Sequence, residues 1–264
     1  MLYGKYVENR TINLDRTLAD LGIDDRGGLL PSEREATIRD LISARSGVFH
    51  PAANPGDHLE VAPPRGSRRH GTYYLYSNWD FNALGTIFEQ LTGLDLYDAL
   101  QSNLASPLQM EDFHRELQHK SGDSTRSRHL AYHMLLSTRD MARLGYLMLR
   151  NGRWRDQQLV PETWVRQSTS VITLSGEMNP PAMRAERVGY GYLWWVPEVE
   201  SGNPLAGSYA ARGAYGQYIL VVPRLDLVVV HQRAVEDREV TPVLWPQFME
   251  VVERVVSARC GQRC

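Results

Sequence analysis

Residues 72–93 read Thr-Tyr-Tyr-Leu-Tyr-Ser-Asn-Trp-Asp-Phe-Asn-Ala-Leu-Gly-Thr-Ile-Phe-Glu-Gln-Leu-Thr-Gly. An aromatic run ends in Tyr76-Ser77-Asn78, and an amphipathic helix begins at once. Phe81, Leu84, Phe88 and Leu91 recur at i, i+3, i+7 and i+10, one face of a helix of 3.6-residue period. Gly93 supplies the C-terminal stop. The pattern therefore sets Tyr76 and Asn78 just ahead of a buried helix, where a rigid element can hold two polar side chains in place.

Outward from this stretch, Leu2, Tyr3, Tyr6 and Val7 have the spacing of an apolar helix, with no cap ahead of Met1. Ser32-Glu33-Arg34-Glu35 reads as a capping box that opens a helix running to about Ala44, with Ser46-Gly47 after it. Residues 50–72 hold Pro51, Pro55, Pro63 and Pro64 and form a long irregular excursion, a length usual for functional loops. A second helix is predicted over about 95–104, and His114–Arg128 is polar enough for a surface loop. Thr138–Arg150 is strongly amphipathic, with Met141, Leu144, Leu147 and Met148 inward. Pro161–Ser168 is a short helix. From Gly189 the period changes to two. Gly189–Val196, Ser208–Arg212, Gln217–Val222 and Leu227–Gln232 read as consecutive antiparallel strands, with a turn at 223–226 and a closing helix over 242–258. Helices first and a meander later define an α+β chain, its helices laid on an antiparallel sheet.

Composition narrows the function. The 264 residues suit one large domain or two intimately joined lobes, and 42% hydrophobic residues provide a sizeable core. The net charge of −2 gives no bulk field for nucleic acid or an anionic membrane. No apolar run approaches the ~20 residues of a membrane span. No signal-peptide core is visible at the N-terminus, so localisation stays open. Basic residues number 29, yet the only lysines are Lys5 and Lys120, which fits the codon usage of a GC-rich bacterial source. Cys260 and Cys264, in the tail, offer no disulfide framework and no complete metal site.

Several segments, in order, resemble the β-lactamase-like serine hydrolases with the penicillin-binding-protein fold, a group that includes class C enzymes, esterases and 6-aminohexanoate-dimer hydrolases. Tyr76-Ser77-Asn78 resembles the family's second motif, Tyr-x-Asn. Residues 39–47 are similar to its leucine-rich helix ending in Ser-Gly. Pro107-Leu108-Gln109-Met110 resembles Pro-Leu-Gly-Met, with Gln109 in place of the glycine. Ser137-Thr138 through Asp140-Met141 is similar to the family's Ser-Thr-x-x-Asp-Met helix start, and Gly189-Tyr190-Gly191 with Trp194 to its Gly-Tyr-Gly-x-x-Trp strand. Ala211-Arg212-Gly213-Ala214-Tyr215-Gly216, followed by the strand after Pro223, resembles the third motif and its partner. The likeness spans about residues 1–258.

The resemblance implies an antiparallel sheet flanked by helices, with a mainly helical lobe over 24–186 and the strands and closing helix over 187–258. It implies ester or amide hydrolysis through an acyl-serine, with no cofactor and a small-molecule substrate. Tyr76 would share proton transfer with a lysine, and Asn78 would position substrate. Ala211, Arg212, Gly213, Ala214, Tyr215 and Gly216 would line the substrate strand, with the Ala214 N–H in the oxyanion hole. Serine needs a base within hydrogen-bond reach, and a phenol of ordinary pKa ~10 needs a neighbouring cation to be that base.

Two departures qualify this expectation. The first position of the family's Lys/His-x-Gly triplet is Ala211, which argues against recognition of β-lactams more than against hydrolysis. The nucleophile motif Ser-x-x-Lys is absent, since no serine lies three residues before Lys5 or Lys120. Ser46, Ser77 and Ser137 lack a nucleophile elbow. In family members a segment like Leu2–Glu8 follows the nucleophile helix, so the sequence reads as entering that helix roughly two turns past the serine. The expectation is an inactive chain, through either a late start assignment or a true remnant that binds a small acyl ligand or a protein partner. An exposed apolar surface would then promote self-association. Other candidates have ordinary readings: Arg65, Arg68, Arg69 and His70 as a solvated basic loop, His50 and His133 as structural histidines, and Trp194 and Trp195 as one core residue and one cleft or surface residue.

Overall fold

The computed structural model describes residues 1–56, 58–234 and 241–261. Cys264, and with it any pairing of the tail thiols, lies outside the described residues. Five helices and five strands carry the argument: α1 (Leu2–Glu8), α2 (Asn78–Thr92), α3 (Thr138–Leu149), β1 (Val188–Tyr190), β2 (Trp195–Pro197), β3 (Tyr209–Gly213), β4 (Gln217–Val222), β5 (Leu227–His231), α4 (Glu162–Ser168) and α5 (Trp245–Cys260). The strands form one antiparallel sheet in the order β1-β2-β3-β4-β5.

Register follows from side-chain alternation. Ala211, Ile219 and Val230 form one row across β3, β4 and β5, and Arg212, Tyr218 and His231 form the next. Adjacent rows face opposite sides, so a slip of one residue would exchange the two faces. The first face meets α3 through Leu144, Leu147 and Met148. Gly145 permits this approach: a Cβ there would stand 2.5 Å from Val228 Cγ1 and 2.8 Å from Ile219 Cγ2. The second face is covered by Trp245, Phe248, Val252 and Val256 of α5, with Phe248 stacked on Tyr218 at 4.7 Å. Each such buried side chain contributes about 1.5–3 kcal/mol.

Helix α2 runs as the periodicity predicts. The Ser77 hydroxyl accepts the Asp80 N–H, and Gly93 closes the helix at φ 70°. Beyond the predicted face, Trp79, Ala83 and Ile87 are fully buried as well. The Trp79 indole donates to Asp25 Oδ2 at 2.7 Å, and the Ser46 hydroxyl donates to Asp80 Oδ1 at 2.7 Å. Helix α1 lies against the far half of α2, with Tyr6 edge-on to Phe88 at 5.2 Å.

Three predicted elements take a different form. The helix expected over 32–44 is two short ones, Pro31–Arg34 and Ile38–Ile42. Thr37 breaks it: its backbone is extended and its hydroxyl caps the second helix by accepting the Asp40 N–H. The single strand expected over Gly189–Val196 is a hairpin, β1 and β2, because Leu193 turns at φ 60°. The loop expected over 114–128 contributes Lys120–Ser121 to a small ladder with Ala131–Tyr132 and buries Ser127 completely. No helix among the described residues is long and apolar enough to cross a membrane.

Candidate functional site

Tyr76 leaves the extended segment before α2 and lies against the sheet's second face. Its ring stacks on Trp195 at 5.7 Å and meets Phe81 edge-on at 4.8 Å. Tyr190 stands edge-on to Trp195 at 5.0 Å, which closes an aromatic wall. Tyr74, two residues earlier, meets Tyr190 at 5.4 Å. Burial pushes the Tyr74 hydroxyl well above its ordinary value; Tyr76 and Glu186 add to the shift, and Arg212 opposes it. That hydroxyl is buried with no hydrogen-bond partner among the described residues.

The third-motif strand reaches the same wall. Arg212 lies 4.4 Å over the Trp195 ring and 4.8 Å over Trp245, and its guanidinium is held by Glu186 at 2.6 Å. A guanidinium between two indoles gains cation–π attraction and is fixed in direction. Ala211 turns to the opposite face, against the α3 core. After Gly213 the chain makes a tight turn, Ala214–Gly216, with Tyr215 at φ 62°. Gly213, Ala214 and Tyr215 are exposed and Gly216 is buried. A side chain at Gly216, where φ is +95°, would place its Cβ 2.7 Å from the Val243 carbonyl oxygen. The His231 ring bonds the Gly216 carbonyl at 2.7 Å.

Trp195 thus joins the Tyr76 segment to the Arg212 strand. Asn78 is directed elsewhere: its Nδ2 donates to the Pro55 carbonyl at 2.9 Å, and no hydrogen bond among the described residues joins it to 211–216. Neither lysine serves Tyr76. Lys5 donates to Asn103 at 2.8 Å. Lys120 pairs with Glu89, which lies roughly 16 Å along α2 from Asn78 at 1.5 Å per residue. Ser46, Ser77 and Ser137 are committed to Asp80, to the α2 cap and to the α3 cap.

The other residues singled out in the sequence take definite positions, and His50 and the exposed basic loop fall as expected. Trp194 and Trp195 are both buried, and they face opposite sides of the sheet. The basic loop is paired: Arg65 binds Glu33, His70 Nδ1 bonds Asp40, and Arg68 covers the Tyr73 ring. His50 is buried between the carbonyls of Arg26 and Pro51. Sequence reasoning missed Glu186 as the partner of Arg212 and the 54–56 backbone as the partner of Asn78. A cleft of about 470 Å³ shares Glu186 and Trp245 with this site and is otherwise lined by Leu205, Met249 and the β1–β2 edge.

The antiparallel sheet with helices on both faces is the fold of a penicillin-binding-protein-type domain. Comparison with known proteins makes the assignment specific: the Beta-lactamase family model matches residues 1–233, and the chain belongs to that family. An uncharacterized protein of Alkalihalophilus pseudofirmus is 29% identical over 103 residues, which cover 37% of this chain and 29% of that protein. The chain therefore matches less than a third of that relative's length. Among solved structures, a 6-aminohexanoate-dimer hydrolase candidate from Bacillus anthracis superposes with a TM-score of 0.70 at 19% identity, covering 97% of this chain and 69% of that one. A β-lactamase from Mycobacterium bovis gives 0.59 at 19% identity, covering 97% and 82%. Simvastatin synthase from Aspergillus terreus gives 0.62 at 17% identity, covering 87% and 71%. These likenesses establish the fold.

Proposed function

We propose that the chain carries the acyl-recognition part of a serine-hydrolase site. Tyr76 and Asn78 contribute from the start of α2, and Arg212, Gly213, Ala214 and Tyr215 contribute from the end of β3 and the turn after it. The observation that carries this reading is the stacking of Tyr76 on Trp195 while Arg212 covers the same indole. Segments more than a hundred residues apart in sequence thereby meet at one wall. Family membership supports chemistry of the serine-hydrolase type, and the Bacillus anthracis neighbour is named for hydrolysis of the 6-aminohexanoate dimer. The substrate class is a small ester or amide. The exposed Gly213–Ala214 backbone offers N–H groups to a carbonyl oxygen.

The same proposal holds that this sequence forms no acyl-enzyme. It contains no Ser-x-x-Lys, and both lysines are bonded away from Tyr76. Without the lysine of that motif, a serine has no lysine to activate it. Its role is then to bind a small acyl compound. A fluorophosphonate probe tests this. The expected result is no covalent adduct by intact mass. A stoichiometric adduct that disappears on substitution of one serine would refute the claim of a missing nucleophile.

A further inference from the structure

Residues 53–56 cross the start of α2, and their anchoring is specific. The Ala53 carbonyl accepts the Asp123 N–H at 2.8 Å, and Gly122 approaches so closely that a Cβ there would lie 2.9 Å from Ala53. Asn54 Oδ1 accepts from Asn82 Nδ2 at 2.8 Å; Asn82 is buried, one turn along the helix from Asn78. Pro55 then presents its carbonyl to Asn78 Nδ2. At the other end, the His58 N–H donates to the Tyr76 carbonyl at 3.4 Å. Residues flanking the strap are thus tied to both residues of the Tyr-x-Asn pair.

The group facing Asn78 is chemically informative. The Pro55 carbonyl belongs to the Pro55–Gly56 peptide, a secondary amide. Gly56 adopts φ +100°, and even a Cβ built on it would stand 3.8 Å from Asn78 Nδ2. Bare amide backbone therefore lies against the side chain that, in the reading above, recognises the ligand. A carboxamide donor makes its better hydrogen bond to an amide carbonyl, whose oxygen carries more negative charge than that of an ester.

We propose that the 54–56 strap is an internal occupant of the acyl site. A ligand bearing a secondary-amide carbonyl competes with the Pro55–Gly56 amide for Asn78. The Asn54–Asn82 bond sets the strength of that competition, which makes Asn54 and Asn82 positioning residues. The inference rests on the reading of Asn78 as a ligand contact and adds to it the ligand class, amide over ester, and the segment that must yield.

The test uses N-acetyl-6-aminohexanoic acid as the amide probe and 6-acetoxyhexanoic acid as its ester counterpart. Their titrations into the parent chain, Asn54→Ala and Asn78→Ala are followed by calorimetry. Asn54 is half-buried, and its loss removes the bond from Asn82 and a longer bond of 3.3 Å to the Pro55 carbonyl, so the fold is retained. The amide probe binds Asn54→Ala three- to tenfold more tightly than the parent, the size of one neutral hydrogen bond. It binds Asn78→Ala at least tenfold more weakly than the parent. In the parent, the probe also shifts the Gly56 N–H resonance, because the Pro55–Gly56 peptide loses its bond from Asn78. Equal affinity for parent and Asn54→Ala, with the Gly56 resonance unchanged, overturns the strap as occupant and leaves the site reading intact. A gain for the ester equal to that for the amide overturns the ligand class. Binding that Asn78→Ala does not weaken, or no binding at all, overturns the site reading and this inference with it.

Discussion

Removal of the Asp25 carboxylate tests how the start of α2 is held. Asp25 is 2% exposed. It accepts the Trp79 indole at 2.7 Å, the Ser127 hydroxyl at 2.5 Å, and the N–H groups of Arg128 and Arg26, each at 2.7 Å. Asp25→Asn keeps the shape but turns one acceptor into a donor. An amide nitrogen at the Oδ2 position faces both the indole and the hydroxyl, and the hydroxyl can rotate to accept whereas the indole N–H cannot; at the Oδ1 position it faces the backbone N–H groups of Arg26 and Arg128, neither of which can accept. A buried donor left unpaired costs about 1–3 kcal/mol, and hydrogen bonds to a charged acceptor are worth about 1.5–3 kcal/mol each. Asp25→Asn should therefore destabilise the chain by about 3 kcal/mol. For a protein of this size that lowers the melting temperature by roughly 6–12 °C. Near-ultraviolet dichroism of the Trp79 environment during thermal and urea unfolding reads the effect. The pH dependence has a definite sign. Burial pushes the Asp25 carboxyl up, but Ser127, Arg128, Trp79 and Arg26 together bring it below its ordinary value. A depressed carboxyl contributes stability above its unfolded pKa of about 4 and loses it as pH falls through the folded value. The parent should lose stability in that acid window, and Asp25→Asn should show a flatter acid limb. A melting temperature within about 1 °C of the parent, with the same acid limb, would refute the role of Asp25 as a structural hub.

Other perturbations have equally definite outcomes. Trp195→Ala removes the indole between Tyr76 and Arg212 and should cost about 3–5 kcal/mol in urea unfolding, with loss of acyl-ligand binding; a change below about 1 kcal/mol would contradict the packing described. Gly216→Ala forces a side chain into φ +95° against the Val243 backbone and should cost about 1–3 kcal/mol, with amide exchange faster across 213–217; an unchanged melt would contradict it. Strand β5 ends the sheet among the described residues with no Asp, Glu, Lys or Arg in Leu227–His231, and open edges of this kind pair with further strands. Sedimentation should show concentration-dependent dimers that Val229→Lys reduces, and a monomer at every concentration would contradict the expectation.

The features legible in sequence are those set by local rules. Ser77 and Gly93 marked the limits of α2, and the period-two runs located β3, β4 and β5. The predicted 32–44 helix failed because apolar spacing continues through Thr37, where a side-chain cap outweighs helix propensity. The β1–β2 hairpin was hidden because alternation persists through Gly191-Tyr192-Leu193, and only a left-handed Leu193 reverses the chain. In the site, Tyr76, Asn78 and the 211–216 strand were visible through motif order. The Arg212–Glu186 pair joins residues 26 apart and the Pro55–Asn78 bond residues 23 apart. Neither contact has a local signature, because both depend on where irregular segments come to rest.

The central claim is that Asn78 and the Ala214 turn bind one small acyl group. A ¹⁵N–¹H correlation spectrum tests it most directly, with the Asn78 side-chain amide assigned by its loss in Asn78→Ala. On titration with N-acetyl-6-aminohexanoic acid, the Asn78 side-chain resonances and the Ala214 backbone N–H should shift together with one dissociation constant. Shifts confined to other parts of the chain, or none at saturating probe, would contradict the account.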